Sequence, residues 1–351
     1  MKILIGIQHP KHVHLFKHTI FHFINTGHKV NIVAVNKEVT RELLERYNIP
    51  FTLIGKNQPS LGKKLISLLG WEYQTFKLMN EFKPDIAIGR ALPHLAHVSA
   101  LLRIPFIIFE DTEVAGAIHK ITVPFASSVI TPSCYQGDFG NKQVRYNGFD
   151  ELAYLHPTYF TPDPQIYNNL GLNEGDPFIV LRFVSWNAHH DIGHHGIRDK
   201  IGLVKALENY GRVIITSEGD LPTELQPYLM KISPDKLHDL LSYATLYVGE
   251  GATMASEAAV LGTPSIFVST FTGRFGTLIE LEETYNLLYS FADGDAAVEK
   301  AIEILQDNKS KENWMIKREQ MLKDKIDVTA FMTWFIENYP NSHDKMRKEH
   351  V

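Results

Sequence analysis

The sequence predicts an α/β protein of two doubly wound, Rossmann-like domains, and three observations carry that expectation. Short apolar runs alternate with amphipathic segments through the first half of the chain. The stretch His156–Gln165, with three prolines, interrupts the alternation, which then restarts. At 351 residues the chain is also too long for one comfortable core. Apolar strands between amphipathic helices imply parallel sheets covered on both faces. Ligands of such sheets sit beyond the carboxyl ends of the strands, here in a cleft between the two halves. The expected division is an N-terminal domain over 1–155, a linker over 156–170, a C-terminal domain over 171–325, and a helix with a tail over 326–351.

Taken in order, Lys2–Ile7 reads as a strand, and Val13–Asn25 as a helix that Gly27 stops. Lys29–Val35 is a strand, Thr40–Tyr47 a helix, Phe51–Ile54 a strand and Leu61–Phe82 a long helix. The short apolar runs Ile86–Ile88 and Phe106–Phe109 flank a helix near His94–Leu102. Ser128–Thr131 and Val144–Tyr146 complete the first set of strands. Beyond the linker, Phe178–Phe183, Arg212–Thr216, Leu246–Val248 and Ser265–Val268 are strands, and Ile197–Tyr210 is a helix. Ser233 stands as N-cap to a helix beginning at Pro234, and Asp327 as N-cap to a helix reaching Tyr339.

Composition narrows the function classes. Hydrophobic residues make up 44% and charged residues 21%, as in ordinary globular proteins. The net charge of −5 offers no broad basic field for nucleic acid. The single cysteine, Cys134, excludes a disulfide framework and fits a reducing cytoplasm. The apolar run after Met1 is too short for a signal core or a membrane span, so a cytoplasmic protein is expected.

The stretch GEGATMASEAAVLGTPSI, Gly249–Ile266, concentrates the chemistry. Two glycines follow a strand, a helix of small residues begins near Thr253, and Glu257 is its one acid. Glycines let backbone N–H groups approach an anion, and a helix start adds about half a positive charge. A diphosphate would be held there without a metal, and Glu257 would meet a ribose diol. The alternative is a plain strand–turn–helix with Glu257 on its exposed face.

This segment resembles the donor-sugar motif of GT-B enzymes, namely the glycosyltransferases that build peptidoglycan precursors and the non-hydrolysing UDP-N-acetylglucosamine 2-epimerases. More closely, the chain resembles the DUF354 family. The resemblance rests on HPKHVHLFK (9–17), EDTE (110–113), RFVSWNAHHD (182–191) and GEGATMASEAAVLGTP (249–264), in order along the chain. It implies a GT-B fold in which Gly249, Gly251, Ala252 and Thr253 hold the diphosphate and Glu257 the ribose. It also implies that Arg182, Ser185, His190 and Asp191 line the donor side. In the loop after the first strand, His14 stands where such transferases carry a general base, with His12 as second choice; the glycine-rich form of that loop is absent. Glu110, Asp111 and Glu113 stand near carboxylates that act on the sugar in the epimerases. Three acids in four residues repel one another and should raise some of their pKa values, or they form a solvated acidic loop. His119 and Lys120 then meet a pyrophosphate or pair with these acids.

Other clusters are weighed in the same way. The run from His189 to His195 with Asp191 has zinc-ligand residue types, but structural zinc sites draw on separated pairs, so no metal is assigned. Asp293–Asp295 imitates a metal-binding acid pair, and helix capping explains it better. Residues 60–79 mix Lys63 and Lys64 with leucines and Trp71, which suits either an anionic bilayer or a core-facing helix with snorkelling lysines. The expected function is transfer of a sugar from a nucleoside diphosphate, UDP first, to a hydroxyl acceptor in cell-envelope or polysaccharide synthesis, with no cofactor. If the acceptor is lipid-linked, 60–79 would dock at the inner face of the membrane. The alternatives are a 2-epimerase using the acids of 110–113 and a non-catalytic nucleotide-sugar-binding protein.

Overall fold

The computed structural model describes residues 1–56, 61–184, 196–217 and 219–349, with the backbone alone for 61–66 and 349. It contains two parallel sheets. The first has seven strands: β1 (Lys2–Ile7), β2 (Lys29–Asn36), β3 (Thr52–Lys56), β4 (Ile86–Gly89), β5 (Phe106–Phe109), β6 (Ser128–Pro132) and β7 (Gln143–Tyr146). They lie in the order β3-β2-β1-β4-β5-β6-β7. The second has β8 (Phe178–Phe183), β9 (Arg212–Ser217), β10 (Leu246–Gly249), β11 (Ser265–Val268) and β12 (Leu288–Phe291), in the order β12-β11-β10-β8-β9. In both sheets the order turns back on itself near the middle, the doubly wound pattern. The central strands are mostly apolar because helices cover both faces; β4, β5, β10 and β11 are wholly buried.

The chain divides into two compact units, Met1–Tyr154 with Ile326–Val351, and Leu155–Lys325. The returning segment is fixed by its own chemistry. Asp327 caps the Val328–Glu337 helix by accepting from the Ala330 amide at 2.9 Å. That helix buries Val328, Met332, Phe335 and Ile336, and Thr329 Oγ1 donates to the Ala153 carbonyl at 2.7 Å.

Several expected elements shift for identifiable reasons. The first helix starts at Pro10, since His9 caps it by accepting from the Lys11 amide. The helix expected from Ile197 spans Lys200–Leu207, because Asp199 accepts from the Gly202 amide and sets its start. Ser233 precedes a short 3-10 turn, Pro234–Lys236, and its hydroxyl donates to Asp235 instead of capping the backbone. Asp293 is a true N-cap, accepting from the amides of Asp295 and Ala296, which accounts for the acid pair there.

In the Leu61–Phe82 helix, Trp71 is 8% exposed and packs in the core against Gly55, where a Cβ would lie 2.1 Å from the indole nitrogen. Trp71 therefore follows the core-facing reading. The side chains of Lys63 and Lys64 lie outside the described residues. Among the described residues no helix is long and apolar enough to cross a membrane.

Candidate functional site

The opening motif sits at the carboxyl end of β10, the middle strand of the second sheet. Parallel pairing puts Gly249 beside Arg182 at the end of β8. The two glycines have different origins. A Cβ at Gly249 would lie 2.3 Å from the Tyr247 hydroxyl and 2.8 Å from Arg182 Cβ, so packing alone requires glycine. A Cβ at Gly251 would meet only ordinary contacts, the nearest 3.6 Å away, and its φ of −93° suits any residue. Neither packing nor backbone conformation asks for glycine at 251.

Gly251, rather than Thr253, is the N-cap of the Ala252–Val260 helix, and no side chain caps that end from the N-cap position. The first amides of a helix have no intrahelical acceptor. Gly251, Ala252 and Thr253 are half-buried, while Met254 to Val260 are buried. The arrangement offers N–H groups to an anion at the one part of the helix that solvent reaches. Arg182, half-buried on the adjacent strand, adds a cation beside them.

Glu257 is 3% exposed, not on an outward face. The alanines around it cannot bond a carboxylate; His238 on the Leu237–Tyr243 helix can. Its Nε2 lies 3.2 Å from Glu257 Oε1, and it is 4% exposed itself. Glu250, inside the motif, carries a separate task. Its carboxylate accepts from the amides of Val184 and Ile197, both at 2.8 Å. It thereby ties together the two chain segments that flank 185–195. A Cβ at Gly196 would fall 2.4 Å from the same carboxylate, which explains that glycine. Ser185, His190 and Asp191, with His189, His194 and His195, lie outside the described residues.

The first sheet ends differently. β4 delivers Arg90, β5 delivers Glu110 and Asp111, and β7 leads to Asp150 and Glu151. Arg90 is 6% exposed and donates to Asp150 at 2.5 Å, Glu110 at 2.6 Å, Asp111 and the Thr112 hydroxyl. Lys11, from the first helix, bonds Asp111 and, at 3.0 Å, Glu151. Burial opposes charge on Glu110 and Asp111, but Arg90 overrides it and holds both carboxyls below their ordinary range. The expected rise at 110–113 is therefore not found on these two acids. It falls on Asp150 instead, which burial and the Asp111 charge push up to about 7 despite Arg90. Tyr146 donates to Asp150 at 2.5 Å. Glu113 accepts from the Gln136 amide at 3.4 Å, and His119 lies 3.3 Å from Glu110, so it pairs with the acids.

The histidines of the N-terminal loop separate in the same way. His12 Nδ1 accepts from the Gln8 amide at 3.2 Å, and burial with the nearby Arg90 charge keeps the ring neutral. His14 is 5% exposed, stacked on Tyr154 and edge-on to Tyr47, whose hydroxyl is 3.5 Å from Nδ1. His18 is half-buried, and its pKa is pushed down to about 4 by burial. Among the described residues no group of three or more His, Cys, Asp and Glu side chains could hold a metal ion.

The profile of the family described as "Protein of unknown function (DUF354)" matches residues 1–332, and the chain belongs to that family. An uncharacterised protein of Methanocaldococcus jannaschii is 28% identical over 279 residues, covering 76% of this chain and 81% of the relative. A UDP-N-acetylglucosamine–N-acetylmuramyl-(pentapeptide) pyrophosphoryl-undecaprenol N-acetylglucosamine transferase of Blochmanniella floridana is 25% identical over 277 residues, 70% of this chain and 71% of the relative. Among solved structures, UDP-GlcNAc 2-epimerase from Neisseria meningitidis bound to UDP-GlcNAc matches with a TM-score of 0.67 at 12% identity, over 99% of each chain. Solved glycosyltransferases share the architecture. The fold is GT-B.

Proposed function

We propose that this member of the DUF354 family transfers a sugar from a nucleoside diphosphate, UDP being the first candidate, to a hydroxyl acceptor. One observation carries the reading: Gly251 has no packing or backbone reason to be glycine, yet it opens a helix whose first amides solvent can reach. A ligand that approaches the backbone closely supplies the reason. The amides of Gly251, Ala252 and Thr253, with Gly249 shaping the turn, hold the diphosphate. Arg182 offsets the charge that develops on the leaving group. Glu257 takes the ribose. Ser185, His190 and Asp191 belong to the donor side in the same scheme. The acceptor hydroxyl attacks the anomeric carbon, the bond to the diphosphate oxygen breaks, and His14 receives the hydroxyl proton. His12 is the weaker base, since its Nδ1 already accepts a backbone N–H.

The fold is equally that of 2-epimerases, so isomerisation is the second reading. It needs a carboxylate to remove the proton at C2 of the sugar. Glu110 and Asp111 are paired with Arg90, which holds their carboxyls below the ordinary range and makes them weak bases, and this favours transfer over epimerisation. A lipid-linked acceptor is supported by an exposed apolar face of the N-terminal unit: Leu69, Tyr73, Phe76, Leu101, Ile121 and Phe125. His97 joins its parts, bonding Glu72 at 2.6 Å and the Ile121 carbonyl at 2.9 Å while its ring meets Phe125. Such a face suits the peripheral membrane contact anticipated for 60–79.

The deciding experiment incubates the protein with UDP-N-acetylglucosamine in heavy water, with and without extracts of lipid and soluble acceptors. UDP release that depends on an acceptor supports transfer, and release only with acceptor in liposomes supports the lipid link. Deuterium at C2 without acceptor establishes the epimerase, and tight binding without turnover a binding protein.

A further inference from the structure

We infer that His238 positions Glu257, and that this buried pair makes the site discriminate a ribonucleotide from its 2′-deoxy counterpart; the inference rests on the nucleotide-binding reading above. Glu257 lies about 7.5 Å along the helix axis from Ala252, at 1.5 Å per residue. A ligand whose diphosphate sits at the helix start thus carries its pentose toward the carboxylate. Ala255, Ala258 and Ala259 on the Glu257 helix present only methyl groups. A buried carboxylate without a donor is costly. The neighbouring Leu237–Tyr243 helix brings His238 to it, whose Nε2 is 3.2 Å from Oε1. His238 is fixed in turn by its own burial and by the edge-on ring of Phe160, 6.0 Å between centroids.

A donor on Oε1 fixes the rotamer of Glu257 and leaves acceptor capacity on the carboxylate, which takes about four hydrogen bonds in all. Two hydroxyls on adjacent carbons are the donors a carboxylate held in one orientation can discriminate. A hydrogen bond to a charged group is among the strong ones, so loss of one hydroxyl should weaken binding about tenfold or more. His238 touches no ligand in this scheme; it acts through Glu257.

The test compares UDP with 2′-deoxy-UDP by calorimetric titration of the full chain. The variants are Glu257→Gln, His238→Asn, which cannot reach Oε1, and His238→Gln, whose amide nitrogen stands near the position of Nε2. Wild type should prefer UDP by about tenfold or more. Glu257→Gln and His238→Asn should both bring the ratio close to one, while His238→Gln keeps most of it. A general packing defect would weaken both ligands equally and leave the ratio intact. Discrimination lost in Glu257→Gln but kept in His238→Asn overturns the role of His238 alone. A wild type that binds neither nucleotide, or binds both equally, overturns the ribose assignment beneath it as well.

Discussion

The carboxyl ends of the two sheets solve the same geometric problem in opposite ways. At the first sheet, loop side chains satisfy one another: Arg90 and Lys11 draw Glu110, Asp111, Asp150 and Glu151 into one buried network. At the second, small residues and a helix start leave backbone N–H groups at a half-buried surface, with Arg182 beside them. One strand end is closed by ion pairs; the other is open to an anion. Acidic residues at a strand end are therefore a poor guide to proton chemistry unless their partners are known. A glycine that packing does not require is the stronger ground for proposing a ligand.

Breaking the closed end should have the largest effect. Arg90→Ala leaves buried carboxylates without their main cation, and removing one partner of a buried pair costs about 3–5 kcal/mol. Urea denaturation at pH 7 should show that loss. A change below 1 kcal/mol would mean that water reaches the network.

The open end should respond in function instead. Gly251→Val, by crowding the amides, should weaken UDP binding about a hundredfold, near 2.7 kcal/mol, with little change in denaturation midpoint. Gly249→Ala should behave in the reverse way and lower the midpoint, because its Cβ has no room beside the Tyr247 hydroxyl. If both substitutions act on stability alone, the contrast between the glycines collapses.

A further test sharpens the closed end through pH. Asp150 has a folded pKa raised to about 7, so between about pH 4 and 7 the folded state keeps a proton that the unfolded chain loses. This group makes stability fall as pH rises through that window, then level off. Glu110 and Asp111 are depressed, so their contribution is complete above the unfolded carboxylate range and is lost only on acidification. Asp150→Asn should therefore make the slope of stability against pH more positive by about 1.4 kcal/mol per unit between 4 and 7. Parallel curves for variant and wild type would show that Asp150 is ionised throughout.

Much of the fold is legible because buried parallel strands are unbroken apolar runs and their helices carry a clear stripe. The missed elements lack those marks. The Ser310–Asp324 helix buries only Ser310, Trp314 and Met321, so it shows almost no stripe. β12 is an edge strand with one fully buried residue, Leu288. The candidate site was legible where consecutive residues make it, as at Gly249–Glu257. Arg90, 20 residues from Glu110, was invisible because sheet register, not sequence proximity, brings the two together. His238 escaped because the packing of its helix against the Glu257 helix, not sequence proximity, makes that pair. Glu250 was in view, but its partners are backbone amides of Val184 and Ile197, which leave no trace in a sequence.

The return of residues 326–351 to the first unit has a consequence for biosynthesis. Domains generally fold as they leave the ribosome, those nearest the N-terminus first. Here the unit begun first cannot be finished until the final helices emerge, while Leu155–Lys325 is one uninterrupted stretch and is fully synthesised before them. The Leu155–Lys325 unit is thus free to mature ahead of the half that precedes it in the message.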